Sequence, residues 1–377
     1  MSRSPLAIHK HFRTLKDPRV AGRRKHLLGD IIVITICGVI CGCNDWQEIA
    51  TFAKTRRDWL KNYLRLPNGV PSHDTFERVF DQIDPAAFQA CFRDWMQALH
   101  EALGLSQIAI DGKTLRGSGT GGRQTLHLVS AWATANNLSL GQVAVAEKSN
   151  EITAIPRLLE LLDVNGALVS IDAMGCQKAI AAKIVERGGD YVLTVKDNQP
   201  SLLAAIQECF NKAIDADFVD VKHDKFQTEE KGHGRQETRT YEVITNPQLP
   251  MTDEWAGLSV IGMCHHESTR DGKTSDEVRY FIGSRKTTAK VYGSALRNHW
   301  RIENTLHWQL DVTFDEDKNR VSRRHGAENL ALVRRLALSL LKQNSSKESI
   351  ACKRLHAALD PAFLLEIATL DGNQGEV

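Results

Sequence analysis

The chain carries almost no net charge. Its 377 residues hold 48 Lys and Arg against 46 Asp and Glu, a formal +2. No uniform positive field draws it to a polyanion, so any contact with nucleic acid rests on local clusters. A disulfide scaffold is absent too: the eight cysteines are scattered, and a chain this long needs none. Cys37, Cys41 and Cys43 lie close together within DIIVITICGVICGCNDW, an apolar stretch with no matching second half for a zinc clamp, so they are expected to be buried free thiols. The run from Ile31 to Ile40 is too short for a bilayer span, which takes about 20 residues. Arg, His and Lys interrupt the first residues, so no secretory leader is read there. No internal repeat is visible. The expectation is a soluble, cytoplasmic protein of two or three domains.

What charge there is lies in clusters. Residues 1–30 carry Arg3, Lys10, Arg13, Lys16, Arg19, Arg23, Arg24 and Lys25 against Asp17 and Asp30. Residues 318–342 carry Lys318, Arg320, Arg323, Arg324, Arg334, Arg335 and Lys342 against Glu328. Either cluster can sit on phosphates or form a solvated face.

Hydrophobic spacing divides the chain. Residues 1–100 read as an all-helical domain. LLGDIIVITICGVICGC forms a buried helix, and DWQEIATFAKTRRDWLKNYL is capped by Asn44 or Asp45. Further helices start at Ser72 and at Asp84-Pro85. Past Gly104 the texture changes. IAIDG, TLHLVSAWAT and LSLGQVAVAEK read as strands, with turns at GSGTGGRQ and ANN. EITAIPRLLELLD is a helix, ALVSID a strand, QKAIAAKIVERGG a helix and DYVLTVKD a strand. The order β-β-β-α-β-α-β predicts an α/β fold with a ribonuclease H-like core, a mixed five-stranded sheet with helices on both faces, over residues 104–345. Another α/β fold with a leading hairpin is the alternative. Residues from about 200 to 285 read as a β-rich insertion. Helix then resumes through NHWRIENTLHWQLDVTF, and AENLALVRRLALSLLKQN forms a long last helix. Residues 346–377 read as a C-terminal tail ending in the disordered DGNQGEV.

Three carboxylates stand in distinct settings. Asp111 ends the strand Ile108-Ala109-Ile110, Asp172 ends Ala167 to Ile171, and Glu303 sits in a helical pattern. Strand ends deliver side chains with little freedom. If these two strands are neighbours, the aspartates converge, and a helical glutamate completes the oxygen set that two Mg²⁺ or Mn²⁺ ions need. Asp111 is expected to bridge the ions, with Asp172 and Glu303 holding one each. Singly, each acid can equally be a surface residue in a turn or helix; the joint pattern favours the site. Lys113, Arg116, Lys178, Lys196 and Arg301 lie near enough in sequence to reach phosphates, or they are surface charges. His299, Glu303 and His307 are four apart and share one face of a regular helix. The order is not HExxH, which disfavours a zinc protease. Trp300 and Trp308 are core residues or stack on a base.

The motifs LKDPRVAGRRKHLLGDIIVITICGVICGCNDWQEIATF, GVPSHDTFERVF, IAIDGKTLRGS, DAMGCQKAIAAKIVERGGDYVLTVKDNQ, GHGRQETR and NHWRIENTLHWQLDVTFDED resemble those of bacterial insertion-sequence transposases of the DDE type, in the H-repeat-associated group. The resemblance spans about Leu15 to Lys342. It implies a ribonuclease H-like catalytic domain, an N-terminal associated helical domain, and a β-strand insertion before the last acid. It also implies that Asp111, Asp172 and Glu303 are the catalytic, metal-binding triad. The implied substrate is double-stranded DNA: the inverted-repeat ends of the protein's own element, and target DNA. Related transposases often place an Arg one helical turn before the glutamate and a Lys two turns after it. Here His299 and Leu310 occupy those positions, with Arg297 and Arg301 nearby.

The reading is therefore a transposase that cuts element ends and joins them to target DNA, using Mg²⁺, for which Mn²⁺ can substitute. A nuclease of the same fold without strand transfer, and an inactive transposase-derived DNA-binding protein, are the alternatives. Candidate DNA contacts besides those around Glu303 are Arg23, Arg24, Lys25 and Arg78 in the N-terminal domain, with His73 and Asp74 if PSHDTFERVF is part of a helix-turn-helix. In the insertion they are His233, Arg235 and Arg239. Two ends must be held together, so a homodimer or larger synaptic assembly is expected.

Overall fold

The computed structural model describes residues 7–101, 107–119, 125–145, 151–232 and 234–369. Helices α1 (Ala7–His11), α2 (Leu28–Ile40), α3 (Trp46–Thr55), α4 (Arg57–Leu60), α5 (His73–Phe80) and α6 (Pro85–Glu101) come first. Strands β1 (Gln107–Leu115), β2 (Leu126–Ala133) and β3 (Leu138–Val145) follow, then α7 (Glu151–Leu161), β4 (Leu168–Ile171), α8 (Lys178–Glu186), β5 (Asp190–Val195) and α9 (Pro200–Asp215). Long strands β6 (Lys222–Gly232), β7 (Arg235–Thr245), β8 (Val260–Arg270) and β9 (Lys273–Gly283) precede α10 (Ala289–Ile302). Helices α11 (Gly326–Gln343), α12 (Ile350–Leu359) and α13 (Pro361–Ala368) close the described chain. Two compact units divide it: a sheet unit of residues 105–111 and 149–302, and a helical unit of residues 1–104, 112–148 and 303–377. Among the described residues no helix is long and apolar enough to cross a membrane.

In the sheet unit the strands run in the order β1-β4-β5-β9-β8-β7-β6. β1, β4 and β5 are parallel. Their residues are nearly continuously buried, as expected for parallel strands covered on both faces. The predicted element order is present, and the α/β class with it. The β-rich insertion extends the expected five-stranded sheet. β9 pairs antiparallel with β5, from Val192↔Gly283 to Val195↔Tyr280, and β8, β7 and β6 follow as antiparallel neighbours. The physical reason is the open edge of β5, whose backbone groups need partners. The near ends of the insertion strands build a core with α10, where Tyr241, Val243, Val260, Phe281, Tyr292 and Leu296 are buried together. Each such ring or branched side chain contributes roughly 1.5–3 kcal/mol. Gly293 lets α10 sit this close, because a Cβ there would lie 2.7 Å from a ring carbon of Tyr241.

In the helical unit α2 is buried along nearly its whole length, from Asp30 to Ile40, consistent with a helix apolar on all sides. It packs against α3, α11, α12 and α13. Asp45 resolves the choice of cap for α3: its Oδ1 accepts from the Gln47 and Glu48 amides, both at 2.8 Å. Cys37, Cys41 and Cys43 are free thiols. Burial pushes the Cys37 and Cys43 thiols up to about 12. The antiparallel β2–β3 hairpin lies against α6 and α11. Residues 350–368, read as a tail, form α12 and α13, started by side-chain caps from Ser349 and Asp360. The final DGNQGEV and part of the GSGTGGRQ turn lie outside the described residues.

Candidate active site

The register of the sheet unit decides where the first two acids lie. Ile110 pairs with Ile171 across the parallel β1–β4 ladder, and Asp111 and Asp172 are the next residue on each strand. Neighbouring strands are about 4.8 Å apart, so the backbones of the two aspartates lie side by side where the β1–β4 ladder stops, although β1 itself runs on to Leu115; open α/β sheets bind ligands beyond such carboxyl ends. Asp172 also starts a short 3₁₀ turn, Ala173–Gly175, its Oδ1 accepting from the Met174 and Gly175 amides at 3.1 and 3.4 Å. Those bonds fix the orientation of the carboxylate. The turn is braced from the loop after β5 by Asn198 Nδ2, which donates to the Ala173 carbonyl at 2.8 Å.

A buried polar network ties α10 to these same two strands. Gln107 on β1 donates from Nε2 to Ser170 Oγ at 3.0 Å and to the Ala295 carbonyl at 2.7 Å. It accepts at Oε1 from Asn298 Nδ2 at 3.2 Å. His299 Nδ1 lies 3.2 Å from Ser170 Oγ. Strands β1 and β4, which lead to Asp111 and Asp172, and the helix leading into Glu303 are therefore hydrogen-bonded together within the sheet unit. His299 is 5% exposed, so the expected phosphate donor is instead a buried brace of α10.

Glu303 opens the next stretch of the helical unit, and the helix changes pitch there. Residues Glu303–His307 and Gln309–Thr313 are π-helical, a winding that recurs at functional sites. His307 Nδ1 lies 3.2 Å from Glu303 Oε2. That bond, with Lys113 further off, holds the Glu303 carboxyl below the usual range. The Glu303 side chain is 73% exposed and His307 is buried. Regular-helix counting put His299, Glu303 and His307 on one face; Glu303 and His307 do meet, whereas His299 turns to Ser170. Leu310, seven after Glu303, is fully buried. The cation near Glu303 comes from a strand: Lys113 on β1 is 8% exposed and its Nζ lies 2.6 Å from Asp311 Oδ1 and 3.8 Å from Asp317 Oδ1. Burial pushes the Asp311 carboxyl up despite that partner. Sequence reading missed Asp311; the only signal was an acid among apolar residues in QLDVTF.

The remaining candidates separate by burial and pairing. Arg239 is 4% exposed and held by Glu237 at 2.8 Å and Glu230 at 3.4 Å, so it braces β7 and offers no surface for DNA. Buried Lys113 is likewise an ion-pair partner. Arg235 pairs with Glu237 at 2.7 Å, Arg297 with Glu230 at 2.6 Å, and Lys178 with Glu254. Arg116, Lys196 and Arg301 are exposed. His233 lies outside the described residues. Trp300 lies under the Arg279 guanidinium at 4.4 Å, whereas Trp308 is 49% exposed. In the basic cluster of residues 318–342, Arg334 and Arg335 are buried, which excludes them from a phosphate-binding face. Arg320, Arg323 and Arg324 are exposed.

A mixed α/β sheet with two aspartates on adjacent parallel strands, and a helix bonded across both strands that leads into a glutamate, suits enzymes that work on phosphodiesters with divalent metals. Residues 103–340 match the family model of the transposase DDE domain, and residues 9–96 match its companion, the DDE_Tnp_1-associated domain. YncI of Escherichia coli O157:H7 is 42% identical over 94% of this chain and 92% of its own. The H repeat-associated YhhI of E. coli K12 is 39% identical over 97% of this chain and 98% of its own. Both carry the word transposase in their names. The chain belongs to the DDE transposase family: it is a DNA transposase, an enzyme of the DDE type that uses divalent metal and has DNA as its partner.

Proposed function

We propose that this transposase cuts DNA at the inverted-repeat ends of an insertion sequence and joins the freed ends to target DNA, with Asp111, Asp172 and Glu303 as the metal-holding triad. The observation that carries the assignment is the Ile110↔Ile171 register, with Gln107, Ser170 and His299 bonding α10 across the same two strands. The donor set fits the metal: carboxylate oxygens suit Mg²⁺, with Mn²⁺ able to substitute. Asp172 has one oxygen committed to backbone amides and one left for an ion. Glu303 and His307 each offer a ligand atom. Two bound ions would activate the attacking oxygen and stabilise the leaving one.

In the first step a water oxygen bonds to phosphorus, the bond from phosphorus to O3′ breaks, and the departing O3′ takes a proton. In the second step that 3′-hydroxyl attacks a target phosphodiester and releases the target's own O3′. One ester replaces another, so no outside energy source is needed. The protein's part is positioning and charge. Lys113 and Asp311 anchor the segment that carries Glu303, and the network of Gln107 and Ser170 keeps α10 in register with the aspartates. Paired ends call for a dimer or larger synaptic assembly acting in the cytoplasm on the nucleoid.

The test uses the full chain with labelled end DNA and plasmid target. Asp111→Asn, Asp172→Asn and Glu303→Gln are expected to bind DNA like the parent and to lose Mg²⁺-dependent cutting. Normal cutting by any of the three overturns that residue's assignment. Cut ends that are never joined would make the protein a nuclease.

A further inference from the structure

Resting on the DNA-transposase reading, we infer that the cleft between the Asp17–His26 loop and α5 grips the sugar-phosphate backbone of duplex DNA. This gives a role to the domain that accompanies the catalytic one. The cleft encloses about 680 Å³ and is lined by Arg19, Arg23, Lys25, Asn68, Ser72 and Arg78, among others, and no carboxylate is among its lining residues. A chain of formal charge +2 has no general field for DNA, so such a local concentration of cations is where phosphate affinity can arise.

The backbone of the loop is held by its own side chains. Arg19 forks onto Asp17, Nε to Oδ1 at 2.9 Å and Nη2 to Oδ2 at 2.7 Å, and also donates to the His26 carbonyl at 2.8 Å. Arg24 closes the other side, donating from Nε to the Arg19 carbonyl at 2.8 Å. Asn68 Nδ2 donates to the Lys25 carbonyl at 2.5 Å. Arg19 and Arg24 are therefore clips for the backbone. The side chains of Arg23 and Lys25, which form no ion pair among the described residues, are exposed at the rim. On the opposite wall Arg78 is steered by its Nε donating to the Asp74 carbonyl at 3.0 Å. Cations on two walls of an open groove, carried by a pinned loop and by α5, match a phosphate backbone, and such contacts set position along the duplex without reading its sequence. Of the four N-terminal candidates from sequence, Arg23, Lys25 and Arg78 share this cleft, while Arg24 supports it.

The experiment measures binding of a fluorescein-labelled mixed-sequence DNA duplex to the full chain by anisotropy, across a potassium chloride titration. Arg23→Gln with Lys25→Gln is expected to lower the magnitude of the log–log salt slope by about 1.8, about 0.9 per phosphate contact, and to weaken binding roughly 60-fold at 0.1 M salt. Lys212→Gln with Lys273→Gln removes the same charge elsewhere and is expected to leave the slope unchanged. Matching melting curves for both pairs show that each is folded. A cleft pair that binds with the parent's slope overturns the inference, as does equal loss in the control pair. So does single-stranded RNA displacing the duplex more effectively than unlabelled duplex does. The two readings fail separately. Unaltered binding by the cleft pair, with metal-dependent cutting by the parent, removes the cleft and keeps the transposase. Slope loss in the cleft pair, with no cutting by the parent, does the reverse.

Discussion

Arg335 and Glu316 form an ion pair in which both side chains are fully buried. Arg335 Nη1 donates to Glu316 Oε1 at 3.0 Å and to the Ala331 carbonyl at 3.1 Å. Nε and Nη2 of Arg335 and Oε2 of Glu316 find no other partner among the described residues. Both charges are thus fully desolvated and only partly compensated. Arg335→Met leaves a carboxylate in the core, a change that costs about 3–5 kcal/mol. Arg334 also faces Glu316, and burial pulls its guanidinium down to about 10, so it offsets part of the loss and places the effect near the lower bound. At about 2–4 °C per kcal/mol for a unit of this size, the melting temperature falls by roughly 6–20 °C. Glu316→Leu is expected to do the same by stranding Arg335. The double variant removes both charges and all three unpartnered atoms, so it should melt higher than either single variant. Scanning calorimetry on the four proteins completes the cycle. If the double variant loses as much as the two single variants together, or either single variant shifts by less than about 1 kcal/mol, the pair is not a mutually compensating unit and the reasoning fails.

Other expectations concern different parts of the molecule. Burial pulls the Lys342 ammonium down to about 8. The folded protein then binds that proton less readily than the unfolded chain, so charging Lys342 costs stability below about pH 8, and the cost fades as pH rises from about 8 towards the unfolded value near 10.4. Lys342→Met should therefore stabilise by roughly 1–3 kcal/mol at pH 7, less at pH 10; a gain independent of pH in urea melts would contradict this. Gly293→Ala places a Cβ 2.7 Å from the Tyr241 ring and should cost about 1–3 kcal/mol by overpacking. Because α10 must shift, its DNA cutting should fall further than its stability, and cutting equal to the parent's would argue against α10 setting the position of Glu303. Thiol labelling of the native protein at pH 8 should modify exposed Cys352 first and spare buried Cys37 and Cys176, whose thiols burial pushes up to about 12. Early labelling of Cys37, detected by peptide mass, would mean that α2 is not sealed.

Legibility in the sequence followed how local each determinant was. The adjacent positions of Asp111 and Asp172 were half readable: each follows an apolar run, which is a local pattern, and the parallel register makes the two strands neighbours, but β1 runs on to Leu115 past the expected strand end. The joining of the insertion to the sheet was not readable, since β9 meets β5 about ninety residues back along the chain and nothing in either strand names its partner. Arg334 and Arg335 looked like surface charge because α11 shows a clear apolar stripe. The helix is in fact buried on nearly all sides, from Gly326 and Asn329 through Leu341, and the two arginines find their compensation in an acidic run that sequence spacing left unassigned. The glutamate's surroundings gave the sharpest case. Counting 3.6 residues per turn put a leucine where relatives often carry lysine. The π winding from Glu303 onward makes that count inapplicable, turns Leu310 into the core, and brings Asp311 round to Lys113. Charge compensation constrains position in space, not position in sequence. Lys113 supplies a cation to Asp311 and Asp317 and lies within electrostatic reach of Glu303. It also ties β1 to the segment that carries Glu303, which a lysine on that segment would not do.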